Sequence, residues 1–311
     1  MRIATIDIGT NTILMLIADI SADGSLSVVR DEQVIARLGK GVDSLRRFTP
    51  ETFTRAVGFL EQFKNMADAH QAERIIAAGT SALRDAVNAD EFIDYIRQKL
   101  GVKIEVLSGH REAELTYQGA ISEFLVEGEE QSFAVLDIGG GSTELTTGVG
   151  STLVSKESLQ VGCVRLTERC LKTSPPSPAT LEEAVGEVMS WTGKLHRLSP
   201  QTKILGVAGT ATTLAAMDLG IKQYDPKLVT GHYISSAAID QFARTLSLLT
   251  VPEMIRTFPQ IQEGRADIIL AGILILKECM KQLGVAGISA SDRGLRFGMA
   301  LHDFLLRSHK S

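Results

Sequence analysis

The stretch "VLDIGGGSTEL", residues 135–145, decides how the rest of the chain is read, because "IATIDIGTNTI", residues 3–13, repeats its design. Each is an apolar strand, then Asp-Ile-Gly, then a turn of small hydroxyl, amide and glycine residues. Glycine lets the backbone approach an anion closely and turn several N–H groups toward it, so such turns suit phosphate. Gly139, Gly140, Gly141, Ser142 and Thr143 form one candidate nest, and Thr10 and Asn11 lie in the other. A third strand-and-turn unit, "KILGVAGTATTLAAM" (203–217), places Gly209 and Thr210 where a helix begins and its dipole favours anions. Any one of these is weak alone, since a Gly-Thr turn after a strand is often purely structural. Three of them after strands are stronger together.

The repeat continues outward from the turns. Residues 2–8, 13–20 and 26–32 read as a meander of three strands, and 133–141, 142–150 and 152–162 repeat it. Behind the first meander, Thr49 is a natural N-cap for a helix starting at Pro50, with apolar residues at 53, 56, 57, 60 and 63 on one face. A strand then runs into the Gly-Thr-Ser turn at 79–81. A helix over 90–101, a strand over 102–109 and a helix over 110–125 follow. The acidic stretch "VEGEEQS" (126–132) marks a domain boundary, giving domains 1–125 and 126–311. The second half adds helices over 180–198 and 264–284, a strand at 286–291, and a last helix from about Gly294 that is able to pack back on the first domain. The fold class is therefore α/β and duplicated. Such a duplication would set two phosphate turns facing each other across a cleft that closes on its ligand.

Composition narrows the function. With 311 residues, 44% apolar, the chain can bury two ordinary cores. A net charge of −5 argues against a nucleic-acid binder. Three cysteines with no Cys-x-x-Cys suggest thiols in a reducing cytoplasm, and six histidines show no metal-ligand spacing. The apolar run 268–276 is too short to cross a membrane, and no export signal is visible at the N-terminus.

Several charged side chains bear on chemistry. Asp7 and Asp137 each end a buried strand, where a carboxylate is costly unless it meets a cation or donors. A magnesium ion shared between carboxylate and phosphate would satisfy either one, and so would simple capping of its own turn. Glu144 follows the second turn. Glu112 stands in the first turn of a helix, where spacing alone favours a solvated glutamate over a general base. Arg84, Arg165, Arg293 and Arg296 have the fork that matches phosphate, though each is a surface arginine by default.

In order along the chain, "DIGTNT", "ARLGKGVD", "GTSALRDA", "SGHREAEL", "DIGGGSTEL", "SLQVGCVRLTER", "GVAGTATTLAA", "GRADIILAG" and "SDRGLRFGM" resemble the exopolyphosphatase and guanosine pentaphosphate phosphatase (Ppx/GppA) family, in its short two-domain form. The resemblance covers nearly the whole chain. It implies paired ribonuclease-H-like domains of the actin-like ATPase and sugar-kinase superfamily. It also implies hydrolysis of terminal phosphoanhydride bonds of inorganic polyphosphate or guanosine pentaphosphate, with Mg2+ or another divalent cation such as Mn2+. On this resemblance Glu112 is the base that activates water. Asp137 and Glu144 become metal-linked. Gly139 to Thr143 become the main phosphate loop, Arg84 a phosphate-facing arginine, and Thr10, Asn11, Gly209 and Thr210 secondary phosphate contacts. No nucleic acid or membrane partner is implied, and a homodimer is the family-level expectation. Two positions depart from the family: Arg111 replaces the first of two successive glutamates, and Phe297 follows Arg296 where a glutamate is usual. Two rival functions share these features, a kinase of the same superfamily and a non-catalytic sensor of polyphosphate or of a guanosine alarmone.

Overall fold

In the computed structural model, which describes residues 1–126 and 128–308, the chain divides into two compact units. One is Met1–Gly119 with the chain from Arg293 onward, and the other is Ala120–Asp292. The first unit builds one sheet from β1 (Arg2–Ile8), β2 (Ile13–Ile20), β3 (Leu26–Val34), β4 (Arg74–Gly79) and β5 (Ile104–Val106). The second builds another from β6 (Ser132–Ile138), β7 (Thr143–Val149), β8 (Thr152–Leu159), β9 (Lys203–Val207), β10 (Tyr233–Ser235) and β11 (Gly287–Ala290).

The orders are β3-β2-β1-β4-β5 and β8-β7-β6-β9-β11-β10. In both sheets the meander is antiparallel and the next two strands join parallel. The second sheet adds β10 as an antiparallel edge. The likeness reaches single residues. β1 and β6 have the same sequence of buried and half-buried positions. The pairing of the second and third strands slips at the equivalent step in each, between Ile17 and Ala18 and between Thr147 and Gly148. This is the duplicated α/β fold that the repeat predicts.

The first strand of each sheet is nearly continuous in burial because both of its faces are covered. In the first unit, Ala4, Ile6 and Ile8 share a core with Leu60 and Phe63 of helix Pro50–Ala69. On the opposite face Ile3, Leu16, Ala18 and Ile20 pack with Phe297 and Ala300 of helix Leu295–Ser308. The Thr49 hydroxyl caps helix Pro50–Ala69 by accepting from the Thr52 N–H, as its position predicts.

Boundaries differ from the sequence reading where tertiary contacts decide them. The segment after Gly119 groups with the second unit: Lys203 Nζ stands 4.1 Å over the Phe124 ring, and Ser291 Oγ donates to the Ala120 carbonyl at 3.2 Å. The C-terminal helix groups with the first unit, where Thr5 Oγ1 donates to the Arg296 carbonyl at 2.8 Å. The helix expected over 180–198 is Pro178–Thr192 and ends at Gly193. The one expected over 264–284 opens as a separate 3-10 turn, Glu263–Arg265, before helix Ile269–Leu283. Among the described residues, no helix is long and apolar enough to cross a membrane.

Helices Gly109–Ile121 and Leu295–Ser308 meet backbone to backbone. A Cβ on Gly298 would stand 1.8 Å from the Leu115 carbonyl oxygen, and one on Gly119 would stand 2.2 Å from the Gly294 carbonyl oxygen. Neither obstacle is a side chain that can turn away. Gly298→Ala is therefore expected to cost about 1–3 kcal/mol through overpacking. Urea unfolding of the two proteins would show this as a lower midpoint at an unchanged slope.

Candidate active site

In the first unit, the turn after β1 closes when the Gly9 N–H donates to the Thr12 carbonyl at 3.0 Å. A second backbone segment braces it. Gly39 N–H donates to the Thr10 carbonyl at 2.7 Å, and Arg37 N–H to the Asn11 carbonyl at 2.8 Å. The approach needs glycine, since a Cβ on Gly39 would fall 2.1 Å from Thr10 Cγ2. Thr10 is consequently buried, and Asn11 is half-buried.

Beyond β4 the chain enters the short helix Ser81–Asp85, which carries Arg84. Beyond β5, Ser108 opens helix Gly109–Ile121: its carbonyl accepts from Glu112 N–H at 2.9 Å and its Oγ from Arg111 N–H at 3.2 Å. These two strand ends bring Arg84 and Glu112 together. Arg84 Nη1 donates to Glu112 Oε2 at 2.6 Å and to the Leu107 carbonyl at 2.9 Å. Glu112 is 9% exposed, so it is a buried and paired carboxylate, not the solvated residue its spacing suggested.

In the second unit the turn after β6 repeats the first one: Gly139 N–H donates to the Ser142 carbonyl at 3.0 Å. Its brace is the start of helix Cys163–Arg169. Cys163 N–H donates to the Gly139 carbonyl, and Val164 N–H to the Gly140 carbonyl, both at 2.9 Å. Gly162 lies against the Gly140 and Gly141 backbone, where a Cβ would come within 2.5 Å of the Gly140 carbonyl carbon. With the Gly139 amide spent inside the turn and the carbonyls occupied on the brace side, the Gly140 and Gly141 amides are the ones the loop keeps for another partner. Thr143 Oγ1 donates to the Val161 carbonyl at 2.7 Å, so this hydroxyl anchors the loop.

Asp137 and Glu144 are direct cross-strand partners on β6 and β7, and Ser158 is the next partner of Glu144 on β8. The three share one face of the sheet. Glu144 is 2% exposed, and its Oε1 accepts from Ser158 Oγ at 2.9 Å.

The third turn carries backbone strain. Ala208 takes φ +61°, a left-handed conformation costing a residue with a Cβ roughly 1–2 kcal/mol. Strain of this kind collects at functional sites. Gly209 follows with the Arg265 guanidinium pressed on it, so near that a Cβ would stand 1.1 Å from Nη1. Thr210 is buried, its hydroxyl lying against Gly272 of helix Ile269–Leu283. Arg265 escaped the sequence reading because only the fold carries the start of that segment to Gly209. Burial pulls its pKa below the ordinary arginine value.

With the turns, the carboxylate pair and the Arg84–Glu112 contact in view, a family model described as the Ppx/GppA phosphatase family matches residues 16–307. The chain belongs to that family. Exopolyphosphatase 2 of Mycobacterium tuberculosis is 35% identical over 315 residues, covering 96% of this chain and 98% of that protein. A guanosine-5'-triphosphate,3'-diphosphate pyrophosphatase of Photobacterium profundum is 28% identical over 308 residues, covering 95% of this chain and 58% of that one. Among solved structures, a Ppx/GppA family member from Aquifex aeolicus superposes with a TM-score of 0.83 at 32% identity, covering 99% of this chain and 98% of that one. These relatives make the chain a phosphatase.

Within the Ppx/GppA framework the two departures have local explanations. Arg111 pairs with Glu114 one turn along the helix at 2.9 Å, leaving Glu112 to Arg84. Phe297 is buried in the apolar cluster with Ile3 and Leu16, and the Arg293 and Arg296 guanidinium groups each stand 4.9 Å from its ring. Arg296 is buried and held by Asp31 through Nε at 2.8 Å and Nη2 at 2.7 Å. Arg165 is buried as well, its Nη1 donating to the Gln160 carbonyl at 3.3 Å.

Burial pushes the Glu112 carboxyl above the ordinary glutamate range, with Arg84 pulling the other way. A carboxyl whose folded pKa is raised keeps its proton in the fold after the unfolded chain has lost it. The native state therefore loses stability as pH rises from the ordinary glutamate value through the raised one. Glu112→Gln has no such loss. Its stability relative to the native protein should climb across that window and then level off, which urea unfolding at a series of pH values would record. A gap that shrinks with rising pH would mean that Arg84 outweighs burial.

Proposed function

We propose that this phosphatase hydrolyses the terminal phosphoanhydride bond of inorganic polyphosphate or guanosine pentaphosphate and releases orthophosphate, with Glu112 as the base. The observation that carries the reading is a buried glutamate at a strand end, paired with an arginine and held above its usual pKa. A base of that strength takes a proton from water more readily than an ordinary glutamate does. The names of the relatives, an exopolyphosphatase and a guanosine-5'-triphosphate,3'-diphosphate pyrophosphatase, supply the substrate class.

In this reading the water oxygen bonds to the terminal phosphorus as its proton passes to Glu112. The bond from that phosphorus to the bridging oxygen breaks, and the shortened chain or nucleotide leaves with the oxygen. Phosphoryl transfer of this sort depends mainly on positioning and charge stabilisation. In the second unit the amides of Gly140 and Gly141, with Ser142, hold phosphate oxygens, and the Gly209 turn offers further donors; in the first unit Arg84 and the Thr10–Asn11 turn offer donors of the same kind. Thr143 and Thr210 act from behind, as their buried hydroxyls suggest.

A divalent cation fits the second unit. Among the described residues, no group of three or more His, Cys, Asp or Glu side chains could cage a metal. Asp137 and Glu144 nonetheless offer two hard carboxylates side by side. Magnesium habitually takes one or two carboxylates and completes its shell with water and phosphate. Bound there, it would neutralise phosphate charge. All three cysteines are free thiols, which suits the cytoplasm as the proposed compartment.

Phosphate release from short polyphosphate, long polyphosphate and guanosine pentaphosphate, with magnesium and with a chelator, tests the reading. Release should need the metal and fall about 10²–10⁴-fold in Glu112→Gln. Tight binding of these substrates with no release would make the protein a sensor instead.

A further inference from the structure

Arginine normally grips a carboxylate with its fork, through two parallel N–H bonds. Arg296 does so with Asp31, using Nε and Nη2. Arg84 does not. Among the described residues all of its hydrogen bonds run through Nη1, divided between Glu112 Oε2 and the Leu107 carbonyl. The Arg84 side chain keeps 23% of its surface exposed, against 8% for Arg296. One contact is a lock, and the other is a single-point hold with most of the fork still to be used. The helix that carries Arg84 is a single turn, Ser81–Asp85.

Building on the proposed function of this site, we propose that Arg84 is a switch: without ligand it holds the Glu112 carboxylate, and a bound phosphoryl group draws it away and releases the base. A terminal phosphoryl group offers more negative charge than a carboxylate and an oxygen spacing that the fork matches bidentately. Arg84 therefore exchanges one bond to Glu112 for two to phosphate.

The exchange changes the base itself. Among the described residues, Arg84 is the one charged group that holds the Glu112 carboxyl down against burial. The other charges nearby are engaged elsewhere: Arg111 with Glu114 on the same helix, while His302, on the C-terminal helix, faces Arg111, Glu114, Asp303 and Glu105. When Arg84 leaves, burial acts alone, and Glu112 becomes a stronger base once phosphate is in place.

The acid limb of kcat/KM reports the free enzyme, and that of kcat reports the complex. On short polyphosphate the native kcat limb should lie at higher pH than the kcat/KM limb. In Arg84→Gln the kcat/KM limb should climb and narrow the gap, while Arg84→Lys, which keeps a charge, should hold it near the native position. Carbon-13 NMR of labelled glutamate, titrated with and without orthophosphate, reads the native protein with no turnover. Its Glu112 carboxyl should titrate at higher pH when phosphate is bound. Coincident native limbs, or a Glu112 titration that phosphate leaves in place, would overturn the switch and make Arg84 a fixed partner. Failure of the parent reading has a separate signature: Glu112→Gln would keep the native rate, and the NMR titration would still decide whether phosphate draws Arg84 off.

Discussion

The phosphate-type loops of this protein depend on backbone approaching backbone. A turn of two or three residues after a strand has few ways to hold its shape, because its side chains are too small to pack. In each unit a second segment supplies the rigidity by bonding to the carbonyls of the turn, from 37–39 in one and 163–165 in the other. That contact is available only where a Cβ is missing, at Gly39 and at Gly162. The strand order brings each brace to its turn, and the brace fixes where the turn's amides can point. Preorganised donors of this kind need no rearrangement when charge arrives.

The candidate base follows a different logic. Glu112 is carried to the end of the parallel strands by the helix start after β5, and Arg84 by the helix start after β4. Burial makes the carboxylate costly, and a guanidinium offsets that cost at 2.6 Å. The backbone seam fixes the same helix from behind, with Gly298 against Leu115 one turn from Glu112 and Gly119 against Gly294 further along. A polar residue is thus held under electrostatic tension on an element that has little room to move.

Much of this was legible in the sequence, and the reason is locality. The strand, the Asp-Ile-Gly and the turn are encoded within a dozen residues, so their recurrence exposed the duplication and located the loops. Thr49 and Pro50 announced a helix start for the same reason. What escaped the reading lay in contacts between distant positions. The Arg84–Glu112 pair joins two strand ends, Arg265 reaches Gly209 only through the fold, and the burial of Arg165 and Arg296 comes from surfaces built by other segments. The acidic stretch at 126–132 lies past the division of the compact units at Gly119–Ala120, because Phe124 and Ala120 are held by residues from 203 and 291.

The duplication also shows where the halves have diverged. Asp7 and Asp137 occupy the same strand position, yet their antiparallel partners are Leu14 in one half and Glu144 in the other. A single carboxylate at a strand end can be satisfied by its own turn. Two side by side repel each other and need donors from neighbouring strands, as Glu144 has in the Ser158 hydroxyl. The first unit places its acidic residue on the helix after β5 instead, beside an arginine, where the charge is neutralised from within. Copies of one fold thus hold negative charge in two ways, as a cross-strand carboxylate pair in one and beside an arginine in the other. The phosphate turns could stay alike because their geometry is set by backbone, while the chemistry diverged at side chains that the turns do not need.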